Sequence, residues 1–138
     1  MGVTDNQEAE SIERCMRRVR EDYVGHEDEF EVNFTRQDAI LLNLQRACEA
    51  CIDMANRMIR LRRLSDPKES KDSFEILSRA MVLDRSNSLT MQAMVGFRNI
   101  AVHQYQALDL AKVRQIIEHR LGHLLAFSKA MLDADPTA

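Results

Sequence analysis

The feature that most constrains the fold is one long helical pattern, which runs from Thr35 to about Leu64 without a proline or a glycine. Apolar residues recur along it at a spacing of three or four, at Ile40, Leu44, Ala47, Cys51, Ala55 and Met58. This spacing places them on one face of a helix. Thr35 is the expected N-cap, with Asp38 three residues later in a variant of the capping box. Such a long helix is expected to form the centre of the core.

Four further helices are predicted from shorter patterns. They run from about Asn6 to Tyr23, from Ser70 to Val82, from Leu89 to near His103, and from Asp109 to about Leu132. The residues expected to point inward are Ile12, Met16, Val19, Tyr23, Phe74, Leu77, Met81, Leu110, Val113, Ile117, Leu121, Leu124 and Met131.

The connections between these helices are polar. Gly25–Asn33 is acidic and poorly periodic, so it is expected to be a mobile loop. Ser65–Pro67 is expected to end the long helix, because the residue before a proline avoids the helical conformation. Within Asp84–Ser88, Ser86 or Ser88 is the expected cap of the next helix, and Asp109 is the expected cap of the last one.

Length and composition favour a single all-α domain. The chain has 138 residues, 45% of them hydrophobic, and only two prolines. Residues 1–138 are interpreted as one domain with frayed tails at 1–5 and 134–138, and the predicted architecture is a four- to five-helix up-and-down bundle. No apolar run approaches the roughly 18 residues that span a bilayer. The acidic N-terminus is unlike a signal peptide, so the expected location is cytoplasmic.

The charge of the chain gives a weak indication about its partners. A net charge of −3 provides no general basic field and counts against non-specific nucleic-acid binding. A local basic groove remains open, because arginine outnumbers lysine fifteen to four and binds phosphate in a bidentate manner. The chain has no Gly-rich phosphate loop or dinucleotide-binding fingerprint. No cofactor is therefore expected.

One segment gathers most of the reactive side chains. Arg98, Asn99, His103 and Tyr105 fall within eight residues that are otherwise largely aliphatic. These side chains can bind a phosphate, transfer a proton and form hydrogen bonds. On an ideal helix Arg98 and His103 lie about 140° apart, so they do not converge. Either the helix ends or distorts near His103, or a second copy of the chain completes the site in a symmetric dimer.

An arginine and a histidine on a helix are common structural residues, but here their spacing resembles a family motif. Arg98-Asn99-x3-His103-x-Tyr105 resembles the R-x4-H-x-Y motif of HEPN-domain proteins and, more narrowly, of the HepT toxins. Further similar blocks are Asn43–Asp53, Asp66-Pro67, Phe74-x-x-Leu77, Met94–Phe97 and Asp109. The similarity covers about residues 35 to 130 in order. It implies a HEPN-like helical bundle that forms a homodimer.

The resemblance also implies an activity. HepT-like toxins are metal-independent endoribonucleases in which the ribose 2′-OH attacks the neighbouring phosphorus and leaves a 2′,3′-cyclic phosphate. By this resemblance Arg98 would bind the phosphate and His103 would act as general base or acid. Asn99 would orient His103 or the substrate, and Tyr105 would position the RNA or hydrogen-bond its phosphate.

The same resemblance implies a control mechanism. The partner would be an MntA-like nucleotidyltransferase antitoxin that transfers AMP to Tyr105, where a bulky anion would repel an RNA phosphate. The alternative is a non-catalytic helical adaptor of a nucleotidyltransferase, in which Arg98 and His103 structure the interface. The acidic net charge is the main support for this alternative.

The long helix carries a second, polar stripe at Asn43, Arg46, Glu49, Ala50 and Asp53. An ordinary solvent-exposed face explains this stripe almost as well as a functional one. In HEPN proteins the matching helix lies near the active groove and the dimer partner. Asn43, Arg46 and Asp53 are therefore candidate RNA-binding or orienting residues.

Cysteines and histidines give no good metal or redox site. Cys15, Cys48 and Cys51 are expected to be buried small apolar residues. His119 and His123 are four apart, which is the spacing of two metal ligands on a helix. No third ligand completes the site, so no metal is expected.

Overall fold

The computed structural model describes residues 3–137, with side chains from residue 7 onward. In this part of the chain there are six helices and no strand. The helices are α1 (Val3–Tyr23), α2 (Phe34–Leu61), α3 (Ser70–Arg79), α4 (Arg85–His103), α5 (Leu110–His119) and α6 (Leu121–Ala134). Short 3₁₀ turns lie at Glu27–Glu29 and Tyr105–Ala107. The all-α prediction is confirmed, but the predicted four to five helices are too few.

The centre of the bundle is α2, which contacts α1, α3, α4 and α6. Every residue predicted to point inward from α2 is buried, and so are Ile12, Met16, Val19 and Tyr23 of α1. Burying one large aliphatic side chain such as Ile40 stabilises the fold by about 1.5–3 kcal/mol. The core continues across the bundle to α3 and α6, where Phe74 and Phe127 meet edge to face at 5.3 Å.

Both ends of α2 differ from the prediction. Asn33, not Thr35, is the N-cap, and its side chain accepts a hydrogen bond from the Arg36 N–H at 3.1 Å. The helix ends at Leu61, before the proline turn. Arg63 adopts the left-handed conformation, with φ of 54°, and the Leu64 N–H bonds back to the Ile59 carbonyl at 3.0 Å. This arrangement satisfies the last carbonyls and stops the helix early.

A residue in the left-handed conformation also ends α3, which stops at Arg79 and not at the predicted Val82. Met81 has φ of 61°, and the Val82 N–H bonds to the Leu77 carbonyl at 2.9 Å. Phe74 and Leu77 are buried as predicted. Met81 was expected to point inward but is 92% exposed, because the left-handed residue turns the chain away from the helical face.

The caps of α4 and α5 test two further predictions. Asp84 caps α4 by accepting a hydrogen bond from the Asn87 N–H at 2.7 Å, so the helix begins at Arg85. Ser88 lies inside the first turn and donates to the Phe74 carbonyl at 2.9 Å. The prediction of a serine cap is therefore wrong. Asp109 caps α5 as predicted, accepting from the Ala111 N–H at 3.0 Å.

The predicted C-terminal helix is in fact two helices, which meet at Arg120. Asn87 donates a hydrogen bond to the His123 carbonyl at 3.1 Å and links the start of α6 to α4. His119 and His123 consequently lie on different helices, so the helical spacing inferred for them does not apply. Among the side chains of residues 7–137, no cluster of three or more His, Cys, Asp or Glu could hold a metal ion.

The acidic connection between α1 and α2 is better anchored than predicted. Phe30 is fully buried, and its carbonyl accepts a hydrogen bond from the Gln37 side chain at 2.8 Å. The expectation of a mobile loop is therefore wrong at this point.

The predicted tails, 1–5 and 134–138, overlap residues that the structure describes. Residues 3–5 belong to α1, while residues 1, 2 and 138 lie outside the described part. Asp135 is buried, with its Oδ2 3.5 Å from Arg57 Nη2. The Ala134 carbonyl accepts a hydrogen bond from Arg62 at 2.8 Å. Both contacts fasten the end of α6 to α2.

The three cysteines are free and buried, as predicted. Burial raises the pKa of the Cys48 thiol to about 12, which removes its thiolate character at neutral pH. Within the described residues, no helix is both long enough and apolar enough to cross a membrane.

Candidate functional site

Arg98 is held by two neighbouring helices. Its Nη1 lies 3.1 Å from Oε1 of Glu49 on α2, and its Nη2 donates to Oγ of Ser70 at the start of α3, also at 3.1 Å. The Arg98 side chain is only 17% exposed, whereas Glu49 is 46% exposed. An ion pair with a half-exposed carboxylate contributes about 0–1 kcal/mol. An incoming phosphate could therefore replace Glu49 at the guanidinium at little cost.

His103 is the last residue of α4 and is exposed. In the described part of the chain, its ring has no hydrogen-bond or ion-pair partner. The Gln104 N–H closes the helix on the Ile100 carbonyl at 2.8 Å. Because α4 is helical through His103, Arg98 and His103 remain about 140° apart around its axis. One copy of the chain does not bring these two side chains together.

Tyr105 lies just beyond α4, in the 3₁₀ turn, and is 46% exposed. Its hydroxyl donates a hydrogen bond to Oδ1 of Asp38 on α2 at 2.6 Å. The hydrogen bond to this carboxylate raises the pKa of Tyr105 to about 12. Asp38 was interpreted from the sequence as part of a capping box, so its contact with Tyr105 was missed.

The remaining candidate site residues differ in their exposure to solvent. Asn99, Arg46 and Asp53 are exposed, and the last two lie within about 80° of Asp38 around α2. Asn43 is buried, and its amide donates to the Ala39 carbonyl at 2.9 Å. Its Oδ1 has no partner among the described residues. Asn43 is therefore not presented to solvent by a single chain.

Sequence reasoning also missed two residues that contact Arg98. Glu49 was noticed only as a member of the polar stripe, and Ser70 only as a helix start. Ser70 is 28 residues from Arg98 along the chain, so no local pattern connects them. The packing of α3 against α2 and α4 brings them together.

Apolar side chains surround the motif on the outside. Leu42 of α2 is 43% exposed, and Ile100 and Val102 of α4 are 38% and 44% exposed. A groove of about 610 Å³ runs between α4 and α5 and includes Phe97, Ile100 and Ile116 in its lining. Exposed apolar surface beside charged groups is typical of a surface that another protein covers.

Several known proteins are similar to this chain. A family model described as ribonuclease HepT-like matches residues 10–131. The mRNA nuclease HepT of Shewanella oneidensis is 44% identical over 111 residues, which are 80% of this chain and 83% of that protein. The solved structure of a tri-AMPylated Shewanella oneidensis HEPN toxin in complex with MNT antitoxin has a TM-score of 0.91 at 38% identity, covering 96% of this chain and 99% of that one.

A more distant structure shares the fold. The Bacillus subtilis cytosolic protein YutE has a TM-score of 0.68 at 19% identity, covering 88% of this chain and 86% of that one.

Proposed function

Because the chain belongs to the ribonuclease HepT-like family, we propose that it is an RNA-cleaving toxin controlled by an MntA-like nucleotidyltransferase antitoxin. The observation that carries this proposal is the arrangement of the family motif at the end of α4. Arg98 is held in place by Glu49 and Ser70, while His103 is exposed and its ring has no partner among the described residues. A fixed cation and a free proton carrier are the two groups that RNA cleavage without a metal ion requires.

In the proposed reaction the nucleophile is the substrate's own 2′-OH. Arg98 binds the scissile phosphate and stabilises the charge that develops on its oxygens. His103 takes the proton from the 2′-OH or donates one to the departing 5′-oxygen. The bond between the 2′-oxygen and phosphorus forms as the bond to the 5′-oxygen breaks, which leaves a 2′,3′-cyclic phosphate. Asn99 and the exposed Arg46 and Asp53 flank this site on α4 and α2.

The proposed active unit is a homodimer. Arg98 of one copy is paired with His103 of the other, because the two side chains diverge within one helix. Association would also cover the exposed apolar residues Leu42, Ile100 and Val102. Asn43, which is buried within the chain, would act only by orienting α2.

Control is proposed to occur at Tyr105. Transfer of AMP to its hydroxyl places an anionic phosphate two residues from His103, where it repels the RNA backbone. The exposure of Tyr105 supports this assignment, because an antitoxin has to reach the hydroxyl.

A matched pair of histidine variants tests the nuclease. His103 and His119 are both exposed and both end a helix, but only His103 belongs to the motif. We expect His103→Ala to slow RNA cleavage by about 10²- to 10⁴-fold, while His119→Ala cleaves like the parent chain. Cleavage is followed on labelled RNA, and growth arrest is measured on induction in cells. Parent-level cleavage by His103→Ala would contradict the proposed role.

A mixing experiment tests the shared site. Arg98→Ala and His103→Ala should each be inactive alone, but a mixed dimer contains one intact pair. Activity should therefore return when the two variants are exchanged into one dimer. If both residues act within one chain, every mixture stays inactive.

The second candidate is the non-catalytic adaptor. It is favoured by the contacts of Arg98 with Glu49 and Ser70, which also suit a purely structural arginine. In this case the unmodified parent chain would bind the antitoxin but leave RNA intact.

A further inference from the structure

The hydroxyl proposed to receive AMP already has a carboxylate beside it. Tyr105 and Asp38 are separated by 67 residues along the chain, yet the Tyr105 Oη donates to Asp38 Oδ1 at 2.6 Å. Both residues are exposed, so an enzyme that approaches Tyr105 also meets Asp38. Asp38 caps no helix, since Asn33 has that role in α2.

This hydroxyl is almost entirely un-ionised at neutral pH. Because its pKa is raised to about 12, only about one tyrosine in 10⁵ is ionised at neutral pH. Removal of the proton by a nearby base during the attack on phosphorus would therefore accelerate the transfer. Among the described residues, Asp38 is the only charged side chain that shifts the pKa of Tyr105. His103 and Asp109 are the nearest titratable residues in sequence, and neither is hydrogen-bonded to Tyr105.

We propose that Asp38 is the general base for nucleotidyl transfer to Tyr105, so that the toxin itself supplies part of the catalytic machinery for its own inactivation. This inference rests on the proposed function, specifically on Tyr105 as the acceptor. The co-substrate is a nucleoside triphosphate brought by the antitoxin. The Tyr105 Oη forms a bond to the α-phosphorus, the bond from that phosphorus to the bridging oxygen breaks, and pyrophosphate leaves. The hydroxyl proton passes to the Asp38 carboxylate and then to solvent.

The direct test measures the rate of AMP uptake. The purified toxin is incubated with its antitoxin, ATP and Mg²⁺, and the initial rate is followed by intact mass, with the modified tyrosine located by peptide mapping. Asp38→Asn is nearly isosteric and can still accept the Tyr105 hydrogen bond, but it cannot take the proton. The rate should fall about 100-fold or more at neutral pH.

Asp28→Asn is the matched control, because it removes another exposed carboxylate that has no part in the site. It should be modified at the parent rate. Asp38→Glu keeps the base and should recover part of the rate. A melting temperature for Asp38→Asn close to that of the parent shows that the variant is folded.

The pH dependence separates a base from a merely structural contact. Without a base, AMP transfer depends on the phenolate form of Tyr105. The fraction of phenolate rises about tenfold per pH unit below the pKa of the hydroxyl. The ratio of parent to Asp38→Asn rates should therefore fall as pH rises. Titrations that belong to the antitoxin cancel in this ratio.

The proposal would be overturned by parent-level modification of Asp38→Asn, by a rate ratio that stays constant with pH, or by a defect confined to the half-saturating antitoxin concentration. The last result would make Asp38 a docking residue. If the parent itself takes up no AMP at Tyr105, the proposed control at Tyr105 fails and this inference fails with it. A modified parent beside an unmodified Asp38→Glu would refute the inference alone.

Discussion

The two tyrosines of this chain form the same kind of hydrogen bond in opposite surroundings. Tyr23 is 3% exposed and donates to the Glu118 carboxylate, while Tyr105 is 46% exposed and donates to the Asp38 carboxylate. Each bond raises the pKa of its tyrosine, and burial is the larger cause at Tyr23. The comparison teaches that a tyrosine–carboxylate pair alone does not define a reactive site. Solvent exposure decides which of the two hydroxyls another enzyme can reach and modify.

The surroundings of Tyr23 make it a structural residue. Arg114 donates to the Tyr23 hydroxyl at 3.0 Å, and its guanidinium lies over the rings of Tyr23 and Phe30 at 5.8 and 5.3 Å. It also bonds to the Glu31 carboxylate at 2.9 Å and to the Glu27 carbonyl at 2.7 Å. One arginine of α5 therefore fastens the end of α1 and the connection to α2. No comparable set of contacts surrounds Tyr105 among the described residues.

The largest expected difference between the two tyrosines is in modification. Tyr105→Phe should remove AMP uptake completely, because the acceptor oxygen is gone. Tyr23→Phe should be modified at the parent rate, since its hydroxyl is buried. Intact-mass analysis after incubation with antitoxin and ATP measures both. Detection of AMP on Tyr23 would contradict the expected difference between the two tyrosines.

For stability, the larger effect is expected at Tyr23 and the smaller one at Tyr105. Tyr23→Ala removes a buried ring and should lower the free energy of unfolding by about 3–5 kcal/mol. Tyr105→Ala should lower it by less than about 1 kcal/mol, because the residue is half exposed. Urea unfolding followed by circular dichroism gives both values. Equal losses would show that the Tyr105 contact is as structural as that of Tyr23.

A smaller loss of stability is expected at Arg114, and it tests the contacts of that one side chain. Arg114→Ala should cost about 2 kcal/mol, since it removes the stacking on two rings and several hydrogen bonds. Arg18→Ala, at an exposed position of α1, should stay within about 0.5 kcal/mol of the parent chain. The same unfolding measurement applies. A negligible effect of Arg114→Ala would mean that the burial of Phe30 and its hydrogen bond from Gln37 hold the connection without Arg114.

The most local expected effect is in the alkaline titration. Tyr105 has a pKa raised from about 10 in the unfolded chain to about 12 in the fold. A raised pKa means that the fold binds the proton more tightly. The resulting stability is therefore complete below pH 10 and is lost as the pH rises towards 12. Phenolate absorbance in a Tyr23→Phe background follows Tyr105 alone, and Asp38→Asn should return its midpoint towards 10.

Regular periodicity explains which parts of the fold were predicted from the sequence. The inward faces of α1 and α2 followed from apolar spacing, because burial of one helical face has the same period as the helix. The helix ends were less predictable. Arg63 and Met81 are left-handed where glycine is usual, and the break at Arg120 occurs without a proline. These features depend on how neighbouring segments pack, which no local pattern records.

The sequence by itself determined the family, the all-α class and the position of the motif Arg98, His103 and Tyr105. Helical period and residue spacing are local properties, so they can be read along the chain. Only the tertiary structure decided what each motif residue contacts. The packing of α4 on α2 and α3 gives Arg98 its two anchors, leaves His103 without a partner among the described residues and places Asp38 at Tyr105. These contacts join residues far apart in sequence, and the hydrophobic packing that creates them is non-directional and leaves no motif.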